Sequence, residues 1–489
     1  MSAIIIFLLS GQVNAQVIAT FGKNKITLDE FKSAYLDIIK NPKTFDSKEL
    51  REKFLDELIA TRILAQKVES IGLDKNELWQ TKIEAYKNKC LREAHFEHAI
   101  KPKIMITEND IEDTYQFTQE ERKISNLFFE TKTQADSIYR LLINGSTTFE
   151  EQARIIYRDT AMANSGGDLG WVYWDQLEYD MGQAAFKLPL NKISEPVKSN
   201  FGYHIIKVTD YKKKPLITRL EYEAHRKKTK YLLEYQLGDK YGYEYISNML
   251  HNSNVVVFPP VMKFVEEKLS TMFKRKPNET DQMFEVQLRE DEVKLVESNL
   301  WDERGQVLAT VNGVNFTVSD FMGILNYIPY NIVYSGFRKA FETAIRDFAI
   351  TLEAKKMGLE KDETVKMKTN LYREFLLALE LKRQLVRSVT VNDDEVHKRY
   401  DEKKEKFKGA TYEQMYETLK SFISGEKKRH VIPDQVKKLM GDMKITKDLK
   451  TLHAHYDSIL QRYKKPAEKE KIEIKQTEKN IKSKNGKKS

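Results

Sequence analysis

Ser165-Gly166-Gly167-Asp168-Leu169-Gly170-Trp171, followed by Phe201-Gly202-Tyr203-His204-Ile205-Ile206-Lys207-Val208, decides the reading of this chain. Three glycines in five residues mark a backbone turn at which a side chain would clash. Trp171 follows at once, so the turn is expected to deliver a large ring to a core. The second stretch alternates. His204, Ile206 and Val208 share one face, while Tyr203, Ile205 and Lys207 share the other. This pattern predicts a strand with a histidine on its inner row.

Outward from these two stretches the chain reads in a fixed order. A strand from Lys123 to Phe129 leads to a helix ending near Gly145 and then to Phe149-Glu150-Glu151-Gln152-Ala153. After the glycine turn come a helix through Ala184-Ala185-Phe186, the segment Ile193-Ser194-Glu195-Pro196-Val197, and the histidine strand. The series resembles the parvulin-type peptidyl-prolyl isomerase domain over about residues 120–211. The resemblance implies a four-stranded antiparallel sheet with flanking helices. It implies a proline pocket from Leu177, Met181 and Phe186, which as bare sequence also read as ordinary core. It implies a polar catalytic floor from Asn126, where the family usually has histidine, with Asp159, Ser199 and His204. Thr160 is the neighbouring alternative to Asp159, and a carboxylate at a turn or helix end is the plain reading of Asp159. The alternation puts Asn126 and His204 on one face, where an asparagine can both donate and accept.

The remainder of the chain repeats itself. Val17-Ile18-Ala19-Thr20-Phe21, a turn at Gly22-Lys23-Asn24 and the helix start Thr27-Leu28-Asp29-Glu30 return about 290 residues later as Val307 to Val311, Asn312-Gly313 and Thr317-Val318-Ser319-Asp320. At each start a threonine precedes an acid by three residues, the pattern of a capping box. Leu55, Leu58, Ile59, Ile63, Val68 and Ile71 form a helical stripe that stops at Gly72. Phe341, Ile345, Phe348 and Leu352 rebuild it before Gly358. Thr107 to Asp110 caps a helix carrying Ile111 and Tyr115, and Asn392 to Glu395 does the same for Val396 and Tyr400. Tyr222 to Val255 answers Tyr412 to Ile445. We read this as a duplication. The first copy holds the isomerase-like domain as an insertion, and the second passes from Tyr400 to Tyr412 without one. Helical segments from both ends of the chain around such a domain resemble the SurA-like periplasmic foldase family, in which the helical parts hold clients.

Composition sets the outer limits. At 489 residues the chain has room for about three domains. One cysteine, Cys90, excludes an internal disulfide and a cysteine metal cluster. The net charge of +9 is largely a tail property, because residues 464–489 hold ten Lys and four Glu. Such a tail is expected to be disordered. Ile4 to Leu9 followed by Val13-Asn14-Ala15 reads as a secretory signal cleaved after Ala15, too short to span a bilayer. A buried first strand is the other reading of that run.

The expected architecture is therefore α+β: a mostly helical, duplicated chaperone module with one inserted parvulin-like domain. The segments are a signal at 1–15, a helical part at 16–118, the parvulin-like domain at 119–211 and a closing helical part at 212–258. A linker at 259–304 precedes a second helical repeat at 305–405, its closing part at 406–462, and a basic tail at 463–489. The expected function is a periplasmic peptidyl-prolyl cis-trans isomerase and chaperone. Its partners would be unfolded polypeptides, outer-membrane or secreted proteins, with no cofactor, no metal, no nucleic acid and no stable membrane insertion. A non-catalytic holdase or envelope assembly factor is the alternative, and a cytosolic scaffold the third reading.

Overall fold

The computed structural model describes residues 16–39, 44–214, 218–272 and 287–457. The expected signal at 1–15 and basic tail at 463–489 lie outside the described residues.

Along the chain, a hairpin of β1 (Val17–Phe21) and β2 (Asn24–Thr27) leads to α1 (Leu28–Ile39), α2 (Lys48–Ser70), α3 (Glu77–His95) and α4 (Glu108–Phe117). The middle of the chain holds β3 (Glu120–Phe129), α5 (Lys132–Ile143), α6 (Phe149–Ile156), α7 (Thr160–Asn164), β4 (Asp168–Tyr173), α8 (Tyr179–Lys187), β5 (Val197–Lys198) and β6 (Tyr203–Lys213). Next come α9 (Arg219–His251), β7 (Val255–Val257), α10 (Pro259–Met272) and α11 (Glu290–Leu300), so the expected linker carries two helices. The second copy holds β8 (Val307–Val311), β9 (Val314–Thr317), α12 (Val318–Leu325), α13 (Tyr330–Tyr334), α14 (Phe337–Lys356), α15 (Glu363–Arg387), α16 (Asp393–Lys403), α17 (Tyr412–Met440) and β10 (Ile445–Lys447).

The described residues fall into two compact units, one built from those between 16 and 95 with those between 254 and 457, the other from those between 96 and 253. The duplication is visible element by element. The Thr27 amide donates to Glu30 at 2.7 Å and the Thr317 amide to Asp320 at 2.9 Å, so both capping boxes close. Gly72 and Gly358, with φ of 72° and 75°, end equivalent helices in the left-handed conformation that glycine tolerates.

In the first unit the two copies are interleaved. β1 pairs with its own hairpin partner β2 and with β10 from the far end of the chain, while β8 pairs with β9 and with β7 from the end of the first copy. Each closing strand therefore completes the other copy's sheet. Ile18, Phe21, Phe31, Tyr35, Leu55 and Ile59 share a buried cluster with Leu452 and Tyr456. Burial of each such side chain contributes about 1.5–3 kcal/mol. Leu64 and Val68 of α2 pack on Leu377 and Leu381 of α15. Arg62 joins Glu30 at 2.7 Å and Glu374 at 2.8 Å. The segment from the end of α12 through α13 faces inward at Ile328, Tyr330 and Val333 and leaves Tyr334 exposed.

The second unit contains an antiparallel sheet in the order β4-β3-β6-β5. Both faces of its two central strands are covered. Leu127, Phe129 and Ile205 meet Ala135 of α5 and Phe149 and Ala153 of α6. Ile124, Ile206 and Val208 meet Trp174, Met181, Ala185 and Phe186. One expectation fails here. Trp171 is 37% exposed, with the Lys212 ammonium 3.8 Å above its ring. The strand alternation turns Val172 inward and Trp171 outward, and the fully buried indole is that of Trp174.

Candidate active site

The strand register builds the site. Phe128 lies opposite His204 and Asn126 opposite Ile206, so Asn126 is the diagonal neighbour of His204 on the same sheet face. Both side chains are buried. His204 Nδ1 is 3.0 Å from Asn126 Oδ1, and His204 Nε2 is 2.8 Å from Ser199 Oγ. The Phe128 ring packs beside the imidazole, with centroids 5.3 Å apart.

The protons of this network can be assigned. The Ser199 hydroxyl oxygen accepts the amides of Phe201 at 3.1 Å and Gly202 at 3.3 Å, so its own proton is directed to His204 Nε2. His204 therefore carries its proton on Nδ1 and donates to Asn126 Oδ1. Burial pushes the imidazole pKa down to about 4, because desolvation disfavours the charged ring. The site thus presents a neutral histidine held from both sides.

The other expected site residues are distributed unequally. Asp159 is exposed, and its carboxylate caps α7 by accepting the Met162 amide at 2.9 Å. The structure gives it the plain role of a helix-end carboxylate, and Thr160 is the exposed first residue of that helix. Phe186 is 2% exposed, with the Arg122 guanidinium 5.2 Å from its ring and Phe117 at 5.9 Å. It is buried in the same cluster as Ile206. Leu177 and Met181 are 9% and 8% exposed and belong to the same cluster as Ile206, together with Leu233 and Leu237 of α9. Long helices recruit apolar partners wherever they cross, and α9 takes this face of the α8 region. Gln236 on the same helix donates to the Leu177 carbonyl at 3.1 Å.

Residues 117–210 match the family model described as rotamase, the PPIC-type PPIase domain. These residues form a parvulin-type rotamase domain. Foldase protein PrsA of Geobacillus kaustophilus (strain HTA426) is 32% identical over 120 residues, covering 24% of this chain and 42% of that protein. A parvulin-like PPIase of Rickettsia prowazekii (strain Madrid E) is 28% identical over 222 residues, covering 42% of this chain and 78% of that protein. The crystal structure of the peptidylprolyl isomerase PrsA from Bacillus anthracis is 25% identical, covers 40% of this chain and 97% of that one, and gives a TM-score of 0.22. The match to the first PrsA relatives spans about two fifths of their length.

Two residues of the rotamase domain escaped the sequence reading. Tyr157 donates its hydroxyl proton to the Asn126 main-chain carbonyl at 2.7 Å, and the Asn126 side-chain nitrogen lies 3.5 Å from the Tyr157 hydroxyl oxygen. An aromatic residue at a helix end carries no signal that it reaches a strand thirty residues earlier. Phe201 is 76% exposed beside the Ser199 hydroxyl that its amide supports. Inside the FGYH stretch it reads only as the residue before a glycine.

Proposed function

We propose that the protein is a peptidyl-prolyl cis-trans isomerase and chaperone whose rotamase domain turns over X-Pro bonds of unfolded polypeptides. The observation that carries this is the Ser199–His204–Asn126 chain of hydrogen bonds, buried at His204 and Asn126 and beside Phe128, inside a domain that matches the rotamase family. Rotation about the peptide C–N bond meets a barrier of about 18–20 kcal/mol from amide conjugation. That conjugation separates charge, and the twisted amide loses it. A surface poor in water therefore favours the twisted form over the planar one. A neutral imidazole, locked at both nitrogens, offers such a surface without introducing a charge. Each ~1.4 kcal/mol of that preference is tenfold in rate.

The clients are unfolded outer-membrane or secreted polypeptides, and the working compartment is the periplasm. Support for export is the apolar run Ile4 to Leu9 ahead of Val13-Asn14-Ala15. Among the described residues no helix is long and apolar enough to cross a membrane. A second reading, a holdase with little turnover, is favoured by one observation: Leu177, Met181 and Phe186 are all committed to the core cluster.

A proline reporter peptide separates the two. The full chain should accelerate cis-trans exchange, and His204→Ala should remove most of the acceleration while retaining suppression of client aggregation. No acceleration at high protein concentration, with aggregation still suppressed, would establish the holdase. Sequencing the protein recovered from the cell envelope should find Gln16 first. An unprocessed start in a cytosolic fraction would defeat the assignment of compartment.

A further inference from the structure

We infer that Tyr157 is a positioning residue for the rotamase site: its hydroxyl orients the Asn126 amide so that the carbonyl end, not the amino end, meets His204. The inference rests on the isomerase reading above and adds a residue that reading does not use.

An asparagine amide is nearly symmetric in shape, so something must choose its direction. At one end stands His204 Nδ1, a donor because Ser199 occupies Nε2. At the other end stands the Tyr157 oxygen, 3.5 Å from Asn126 Nδ2 and at the long end of the hydrogen-bond range. The Tyr157 proton is already committed to the Asn126 main-chain carbonyl at 2.7 Å. Toward Nδ2 the phenol therefore presents only a lone pair. In the observed direction the His204 Nδ1–H and one N–H of the Asn126 amide each meet an acceptor. With the amide reversed, N–H would face N–H at His204, and oxygen would face oxygen at Tyr157.

The backbone holds the phenol in place. Tyr157 leaves α6 in an extended conformation, φ −88° and ψ 125°, with its amide bonded to Ala153. Its ring packs at the glycine turn, where a Cβ on Gly167 would lie 3.3 Å from it. The Asn126 amide donates to the Gly167 carbonyl at 2.9 Å, so turn, phenol and Asn126 form one assembly. The glycine turn thus connects to the site through Tyr157 as well as through the backbone.

The test is Tyr157→Phe in the full chain, which removes the hydroxyl and keeps the ring. Two readouts are needed. Proton and nitrogen-15 NMR of the His204 ring, assigned against His204→Gln, reports the Nδ1–H bond to Asn126 without any turnover. Ser199 keeps the proton on Nδ1 in the variant, so the Nδ1–H proton resonance should move upfield as its bond to Asn126 Oδ1 weakens, and kcat/KM on a proline peptide should fall about fivefold, the worth of one neutral hydrogen bond. A double-mutant cycle guards against a purely structural effect: in an Asn126→Ala background Tyr157→Phe should have no further effect on kcat/KM. An unchanged His204 spectrum, or effects that simply add, would overturn the inference. If the wild-type chain has no isomerase activity, the functional proposal fails, and the ring measurement on His204 still decides the role of Tyr157.

Discussion

The hydroxyls of Thr20 and Thr446 lie 2.5 Å apart on neighbouring strands although the residues are separated by 426 positions in sequence. The pair marks the exchange of closing strands between the two copies of the duplication. A strand that closes the sheet of its own copy would leave two independent modules. Here β10 completes the first hairpin and β7 the second, so neither copy can finish its sheet alone.

Proline at position 446 should test this exchange. Proline cannot donate to a ladder, so Thr446→Pro should speed hydrogen exchange of the amides in Val17–Phe21. The amides of β6 should remain as protected as before. Unchanged protection of β1 would mean that its pairing with β10 contributes nothing to closure.

Arg51 anchors the same junction from below. Its guanidinium is 1% exposed, meets Asp457 at 3.1 Å and lies 4.8 Å from the Tyr456 ring. Its other face is bonded to Asp46, which also accepts the Tyr35 hydroxyl at 2.7 Å. Arg51→Met strands the Asp46 charge, and loss of one partner of a buried pair costs about 3 kcal/mol. Urea unfolding followed by hydrogen exchange in α2 should show this loss. A midpoint equal to that of the wild type would refute it.

His204 should be silent across the neutral range. Its native pKa is lowered to about 4, against about 6.5 for a free imidazole. Between those values the unfolded chain binds a proton that the native site does not, so the stabilisation is complete above about pH 6.5 and is lost as pH falls toward 4. Isomerase rates should be flat from about pH 6.5 to 8. An imidazole titration with its midpoint near 6.5 would mean that the ring is solvated.

Asp159 offers a clean separation of cap from chemistry. Asparagine caps helices as well as aspartate does, whereas alanine costs about 1 kcal/mol. Asp159→Asn should keep both stability and kcat/KM, and Asp159→Ala should lower stability alone. A tenfold loss of kcat/KM in a stable Asp159→Asn chain would return the carboxylate to the site.

The glycine turn should discriminate between its own members. A Cβ at Gly167 would sit 2.3 Å from the Asn126 carbonyl oxygen, whereas at Gly170 nothing lies within 4 Å, and both have φ of +74°. Gly170→Ala should cost about 1–2 kcal/mol from the left-handed backbone alone. Gly167→Ala adds a backbone collision and should prevent the domain from folding to its native stability. Equal thermal shifts for the two variants would contradict the geometry.

Local chemistry was legible from the residues. The period-two pattern of 203–208, the capping boxes at Thr27, Thr107, Thr317 and Asn392, and the left-handed glycines at 72 and 358 depend on neighbours within a few positions, and the structure has each of them. The meeting of His204 with Asn126 was legible too, because strand alternation carries facing information. Which copy each closing strand joins was not legible, since Ile445–Lys447 and Val255–Val257 fit either hairpin equally well by pattern. The same holds for Phe186, Asp159, Trp171 and Tyr157. Whether an apolar ring lines a pocket or a core depends on what crosses it, here Phe117 and α9. Sequence periodicity determines the face on which a side chain stands; the long-range packing of other elements alone determines what it meets there.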